Sequence, residues 1–287
     1  MIQYFYPLKK VKEGAFMPAK DVKNTPERKM MELRNYKVVK SNDLIQKSRF
    51  NLSLQEQKII LYLISKVKPE DTELKEYIFE IRDFCKICGL ETDSGKNYKD
   101  IKQTLKSLRD KSIWITLEDG SETTLSWIDK ITINKNSGSI KIKIDDMMKP
   151  YLIHLQRHFT SYELLYTLAM RSQYSIRLYE ILKSYAYKKN KIFDIEDLKH
   201  ILSAENYIRF PDFKRYVLDI AIREMNELSD LTIAYELIKE SRRYAKINFS
   251  IQIKKNMRDR MKTWARIDEI INPDQISLLE KTCGEKI

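Results

Sequence analysis

Two stretches of this chain gather long hydrogen-bond donors on one side of a helix. Between Tyr98 and Asp110, residues Lys99, Lys102, Gln103, Lys106 and Arg109 fall opposite Ile101, Leu105 and Leu108. Between Asp212 and Leu228, residues Arg215, Tyr216, Asp219, Arg223 and Asn226 fall opposite Phe213, Val217, Ile220, Ala221 and Leu228. A guanidinium on such a face can read guanine O6 and N7 through a bidentate pair, while its neighbours clamp phosphates and set the register. Asp219 suits one of two roles: accepting from cytosine N4, or restraining Arg215 and Arg223. Arg242 and Arg243 stand on a turn, Lys239 to Arg243, from which they reach phosphates beside a groove. Arg171 and Arg209 each precede a helix. The helix start behind Arg171 offers two uses for its free N–H groups, a Ser172 N-cap or a bound phosphate.

Other constellations do not hold together. Gly89 to Asn97 resembles a phosphate loop but has five residues between its glycines and Asn after Lys, where four and Ser or Thr are needed. Cys85 and Cys88 form a lone C-x-x-C with no second pair at zinc spacing, and at least Cys88 is expected in the core. His154 and His158 lie four apart without an H-E-x-x-H or a third ligand. The His-hydrophobic-His metal pair of rolling-circle nicking enzymes is missing. No catalytic residue, metal ligand or cofactor is expected.

The 287 residues carry a formal net charge of +12, and the pI is about 9.3. That balance favours polyanionic partners. No run of 18 apolar residues suggests a membrane span. The first twelve residues lack the pattern of a signal peptide, so a cytoplasmic, DNA-associated protein is expected.

The elements that must position the basic faces repeat. Ile78-Phe79-Glu80-Ile81-Arg82-Asp83-Phe84 returns as Ile192-Phe193-Asp194-Ile195-Glu196-Asp197-Leu198. Each copy leads to a short helix, a polar turn, a basic helix and a β-rich stretch. Two copies at so long a period suit a small domain used twice, not a solenoid. Helix, strand, helix, turn, basic helix and hairpin is the order of a winged helix, so the fold expected is α+β with tandem winged-helix domains. The boundaries expected are an arm over 1–36, a first domain over 37–150, a second over 151–255 and a tail over 256–287. Tyr4, Phe5 and Tyr6 could anchor the arm.

Local signals fill in the two units. Ser53-Leu54-Gln55-Glu56 is a capping box that opens a helix, and Pro69 stops it. Strands are predicted over Ile113–Leu117, Thr123–Ile133, Ser139–Ile144, Leu231–Glu236 and Tyr244–Ile253. Asp119-Gly120 and Ser137-Gly138 supply turns. A connecting helix over Asp145–Leu155 is expected to break at Pro150. Helices are predicted over Tyr162–Met170, Gln173–Tyr187 and Met257–Ile270. Glu224 falls inside the apolar stripe of the second basic helix. A buried carboxylate needs a partner, so either Arg177 on the preceding long helix pairs with it or the helix is slightly rotated and Glu224 reaches water.

Several stretches resemble the initiator proteins of iteron-containing, theta-replicating plasmids. They are Val38-Val39-Lys40-Ser41-Asn42-Asp43-Leu44-Ile45 and Leu52-Ser53-Leu54-Gln55-Glu56-Gln57-Lys58 in the first half. In the second half they are Ser175-Ile176-Arg177-Leu178-Tyr179-Glu180-Ile181-Leu182, Phe213-Lys214-Arg215-Tyr216-Val217-Leu218-Asp219 and Ile247-Asn248-Phe249-Ser250-Ile251. The resemblance implies two winged helices, each with a helix in the major groove of double-stranded direct repeats at an origin. It gives Lys214 and Arg215 as DNA contacts, with Arg242 and Arg243 in the wing. It further implies monomers that open the origin and load host helicase, and homodimers paired through the first domain. The wing of the family often has Gly before its basic pair, where this chain has Ser241. The rival reading is a repressor with tandem winged helices and no part in replication. An enzyme, nicking or primase-like, is the third reading.

Overall fold

Val38 and Tyr162 face each other across a two-stranded ribbon that joins the two halves of the chain. The computed structural model describes residues 36–68, 71–88, 95–134 and 136–271. Residues 1–35 of the expected arm, Pro69, the turn from Gly89 to Ser94 and residues 272–287 lie outside the described residues, while Tyr36 is buried in the core. The ribbon pairs β1 (Lys37–Ser41) with a strand of the second half, Phe159–Glu163. Ser41 then caps α1 (Asn42–Gln46), accepting from Leu44 N at 3.1 Å. After β2 (Ser48–Arg49), the capping box opens α2 (Leu54–Ile64). Glu56 N donates to Ser53 Oγ at 3.3 Å, and Ser53 N donates to Glu56 Oε2 at 2.7 Å. Such a cap contributes about 1 kcal/mol.

The repeated phrase is the same structure twice. In the first half it forms β3 (Glu76–Glu80) and α3 (Ile81–Ile87). The basic helix α4 (Gly95–Asp110) follows. Then come β4 (Ser112–Thr116), β5 (Glu122–Ser126), β6 (Ile128–Asn134) and β7 (Ser139–Ile144). Sheet order is β3-β7-β6, with Phe79 opposite Ile140. The hairpin β4-β5 is an addition that pairs with β2 instead. The single strand predicted over Thr123–Ile133 is therefore two strands in two sheets. Trp127, fully buried and edge-on to Phe50 at 5.1 Å, makes the corner between them. Gly120 (φ +83°) and Gly138 (φ +62°) make the expected turns, in a region that L side chains enter at a cost.

Pro150 begins a helix rather than breaking one. Asp145 caps a 3₁₀ turn, Asp146–Met148, and Pro150 sits in the first turn of α5 (Lys149–Leu152), where no N–H is needed. The helix expected over Tyr162–Met170 starts later. Its first residues belong to β8 (Phe159–Glu163), and α6 spans Leu164–Ala169. The partner strand β1, far away in sequence, overrides the local preference. His154 and His158 are exposed and adopt φ of +55° and +54°, so they share no helix face.

In the second half α7 (Gln173–Ser184) opens on Ser172, whose Oγ accepts from Tyr174 N. The phrase returns as β9 (Asn190–Asp194) and α8 (Ile195–Ile201). The second basic helix is α9 (Phe210–Phe213), a π turn over Lys214–Leu218, and α10 (Asp219–Leu228). The hairpin β10 (Leu231–Glu240) and β11 (Arg243–Ile253) closes the sheet in the order β10-β11-β9. Phe193 lies opposite Ile247, as Phe79 lies opposite Ile140. The tail helix forms as expected, α11 over Met257–Ile270, and buries Trp264 and Ile267.

The two halves are joined by polar contacts as well as by the ribbon. Lys40 and Glu180 form a buried pair at 2.6 Å, and Tyr162 also donates to Glu180. Arg177 donates to Ser48 O at 2.7 Å and lies over the Phe50 ring at 4.5 Å. Arg49 pairs with Glu205 at 2.8 Å. Cys88 is buried as expected and Cys85 is buried with it, and burial pushes the Cys85 thiol up to about 12.

Candidate nucleic-acid interface

Each basic helix rests on an apolar face and is locked by a buried glutamate. In α4, Ile101, Leu105 and Leu108 are buried, while Lys99, Lys102, Gln103, Lys106 and Arg109 are exposed together on the far side. Glu56, from the capping box of α2, also accepts from Ser107 Oγ at 2.7 Å and from Lys111 Nζ at 2.6 Å. Burial opposes the charge on Glu56, yet the Lys111, Ser53 and Ser107 bonds outweigh it and lower its pKa. Two of the predicted residues are partly engaged. Arg109 Nε donates to Asp129 O at 3.2 Å, tying the helix to β6, and Lys106 pairs with Asp110 at 3.4 Å. Lys99, Lys102 and Gln103 make no side-chain hydrogen bond or ion pair among the described residues.

In the second half Glu224 is buried and does not reach water, but its partner is not Arg177. Its carboxylate accepts from the backbone N–H groups of Arg171 (3.2 and 3.3 Å) and Ser172 (3.3 Å). Arg177 turns the other way, to Ser48 and Phe50 in the first half. The helix start behind Arg171 is thus occupied from within, by Ser172 Oγ and Glu224, rather than standing open for a phosphate. The Arg171 residue itself is exposed.

The outer face of the second basic helix presents Arg215, Tyr216, Asp219 and Arg223, all exposed. The π turn widens the helix where Arg215 and Tyr216 stand. π turns inside α-helices are frequent at functional sites. Asp219 restrains neither arginine. Its oxygens accept from Lys214 Nζ at 2.8 Å and Tyr235 OH at 2.7 Å. Burial works against the Asp219 charge, but the Lys214 and Tyr235 bonds prevail and lower its pKa. The Arg215 guanidinium lies over the Tyr216 ring, 5.2 Å from its centroid. Asn226 points inward and clasps the backbone of Ile233 through both ends of its amide.

The wing tip is tighter than expected. The strands extend to Glu240 and Arg243, leaving only Ser241 and Arg242 as the loop. Ser241, where the resembling family often has Gly, adopts φ +57°. Arg242 and Arg243 are exposed. Phe210, at the start of the recognition helix, sits 5.4 Å from Tyr244, so helix start and wing tip meet. Arg209 pairs with Asp212 at 2.7 Å. The aromatic supports Tyr207, Tyr235 and Tyr244 escaped the sequence reading, because the residues they touch are far along the chain or across a strand.

The initiator replication protein WH1 model matches residues 37–183, and the WH2 model of the same initiators matches 194–251. The chain belongs to the initiator replication protein family. Its two units are winged helices, WH1 and WH2. A curated relative, the PI protein of Escherichia coli, is 29% identical over 151 residues, which are 46% of this chain and 50% of the relative. The match thus spans half the length of that relative. A crystal structure of a Pi initiator protein in complex with iteron DNA superposes with a TM-score of 0.62 at 22% identity, covering 78% of this chain and 99% of that one. Among the described residues there is no cluster of metal-ligating side chains, and no helix is long and apolar enough to cross a membrane.

Proposed function

We propose that this chain is a replication initiator of a plasmid or mobile element that binds repeated double-stranded sites at an origin. The observation that carries the reading is one basic helix backed by a wing, built twice in a chain of this family. The Pi protein solved with iteron DNA supports the choice of ligand. WH1 would place Lys99, Lys102, Gln103, Lys106 and Arg109 against DNA. WH2 would place Lys214, Arg215, Asp219 and Arg223 there, with Arg242 and Arg243 on flanking phosphates and Arg171 and Arg209 at the margins. Within this set Arg215 and Arg223 are the base readers, since both guanidinia are exposed and outside ion pairs among the described residues. Lys214, held by Asp219, fixes position.

The protein acts in the cytoplasm on DNA, with no nucleolytic step of its own. Its homodimer would form through WH1, where the added hairpin exposes Trp114 and Leu117. Host initiator and helicase are its further partners. The test is binding to duplexes carrying tandem repeats of about 20 base pairs, two helical turns, followed by permanganate probing on supercoiled DNA. Salt-sensitive binding with opened, reactive thymines supports an initiator. Binding without opening favours the repressor. Metal-dependent nicking would revive the enzyme reading.

A further inference from the structure

Ile208 is 85% exposed, the most of any large apolar side chain described. A single exposed isoleucine is ordinary; the support beneath this one is not. Lys199, itself buried, reaches the Ile208 carbonyl with Nζ at 3.4 Å. On one side Tyr207 stacks on Tyr216 at 6.3 Å and meets Tyr174 edge-on at 6.0 Å. On the other, Phe210 lies against Tyr244 of the wing. The backbone around residue 208 is therefore anchored from both directions, and the side chain projects from the residue just ahead of the Arg209 N-cap, at the entrance to the recognition helix. With Tyr207 and Tyr216 it walls a shallow groove.

The surroundings select the ligand. Arg209 is the next residue, Arg215 lies over the Tyr216 ring, and Arg242 and Arg243 border Tyr244 in sequence. Asp212 also lines the groove but is paired with Arg209 at 2.7 Å, and an apolar prong beside the remaining cations suits a polyanion that carries apolar groups. In the major groove the apolar group on the base edges is the thymine 5-methyl. We propose that Ile208 is a specificity-determining residue that packs on one or two thymine methyls of the recognised site, beside the bases read by Arg215. This rests on the DNA-binding reading above. It adds thymine to the guanines that Arg215 and Arg223 can read.

The experiment uses the full chain and a duplex selected by it from a random-sequence pool. Each thymine of that site is replaced in turn by deoxyuridine, which pairs identically but lacks the methyl. The wild-type chain should lose about four-fold in affinity at one or two adjacent positions, the factor for burying one methyl, and little elsewhere. Ile208→Ala, at a surface position that leaves the core untouched, should bind the thymine duplex more weakly by a similar factor. It should be insensitive to deoxyuridine at those same positions. Ile208→Val should fall between the two. Identical methyl profiles for wild type and Ile208→Ala overturn the proposal while leaving DNA binding intact. A pool that never enriches overturns the DNA-binding reading, and this proposal with it.

Discussion

The Glu224 carboxylate accepts the backbone N–H of Ser172 at 3.3 Å, tying the second recognition helix to the N-terminus of the long helix α7. The first half solves the same problem from the other side. There Glu56, on the long helix α2, accepts from Ser107 and Lys111 at the end of the recognition helix. In both, a negative charge sits in the first turn of the long helix, or just ahead of it, where the helix dipole favours it. Each lock sets the angle at which a basic face is presented.

Glu224→Ala should destabilise the fold by about 1–3 kcal/mol, the cost of leaving buried N–H groups unpaired. Arg177→Ala should destabilise it independently, because Ser48 and Phe50 are its partners. Urea unfolding of both single variants and the double should give costs that add within about 0.5 kcal/mol. A coupling well above that would restore a direct Arg177–Glu224 interaction.

Lys58 gives a pH signature. Burial lowers its pKa from 10.5 to about 8, and its Nζ donates to Leu168 O at 2.7 Å. Between those two values the unfolded chain holds a proton that the folded chain has released, so this group's contribution to stability rises with pH. Below about pH 8 the folded state carries the full cost of the buried charge. The stability of wild type relative to Lys58→Met should therefore climb between about pH 8 and 10.5, by at most on the order of 3 kcal/mol. A flat difference in denaturant titrations across that window would contradict it.

Base readers and phosphate clamps should separate in binding. Arg215→Ala should cost about 1–3 kcal/mol on the selected site and relax its sequence preference. Lys102→Ala and Arg242→Ala should weaken all duplexes alike and reduce the salt slope by about one each. Fluorescence anisotropy over a salt series, on selected and scrambled duplexes, distinguishes the two patterns. Unchanged selectivity of Arg215→Ala would show that another face of the helix reads the bases.

Asp219→Asn should loosen Lys214 and remove a negative charge from the face. Affinity for every duplex should rise, with a steeper dependence on salt. Loss of preference at a single cytosine position would instead show that Asp219 reads a base.

The tandem units, the capping box, the two basic faces and the tail helix were legible in the chain because their signals are local. Helical spacing of Ile101, Leu105 and Leu108, or a Ser53–Glu56 pair, acts within one or two turns of backbone. The repeated phrase worked for the same reason: each copy forms its strand and short helix from its own residues. The place of Glu224 in an apolar stripe was legible in the same way.

What the stripe could not say was which group meets Glu224, since several donors lie within reach of a helix face and only packing chooses among them. Tertiary contacts decided the rest in the same way. Phe159–Glu163 became a strand because Lys37–Ser41 offers it a ladder of backbone bonds. Thr123–Ile133 broke in two because Trp127 needed a buried corner beside Phe50. Asp219 turned to Lys214 and Tyr235, the latter on a strand beyond the end of the helix. A side chain's type and spacing determine the bonds it can make, but its partner is set by where distant segments come to lie.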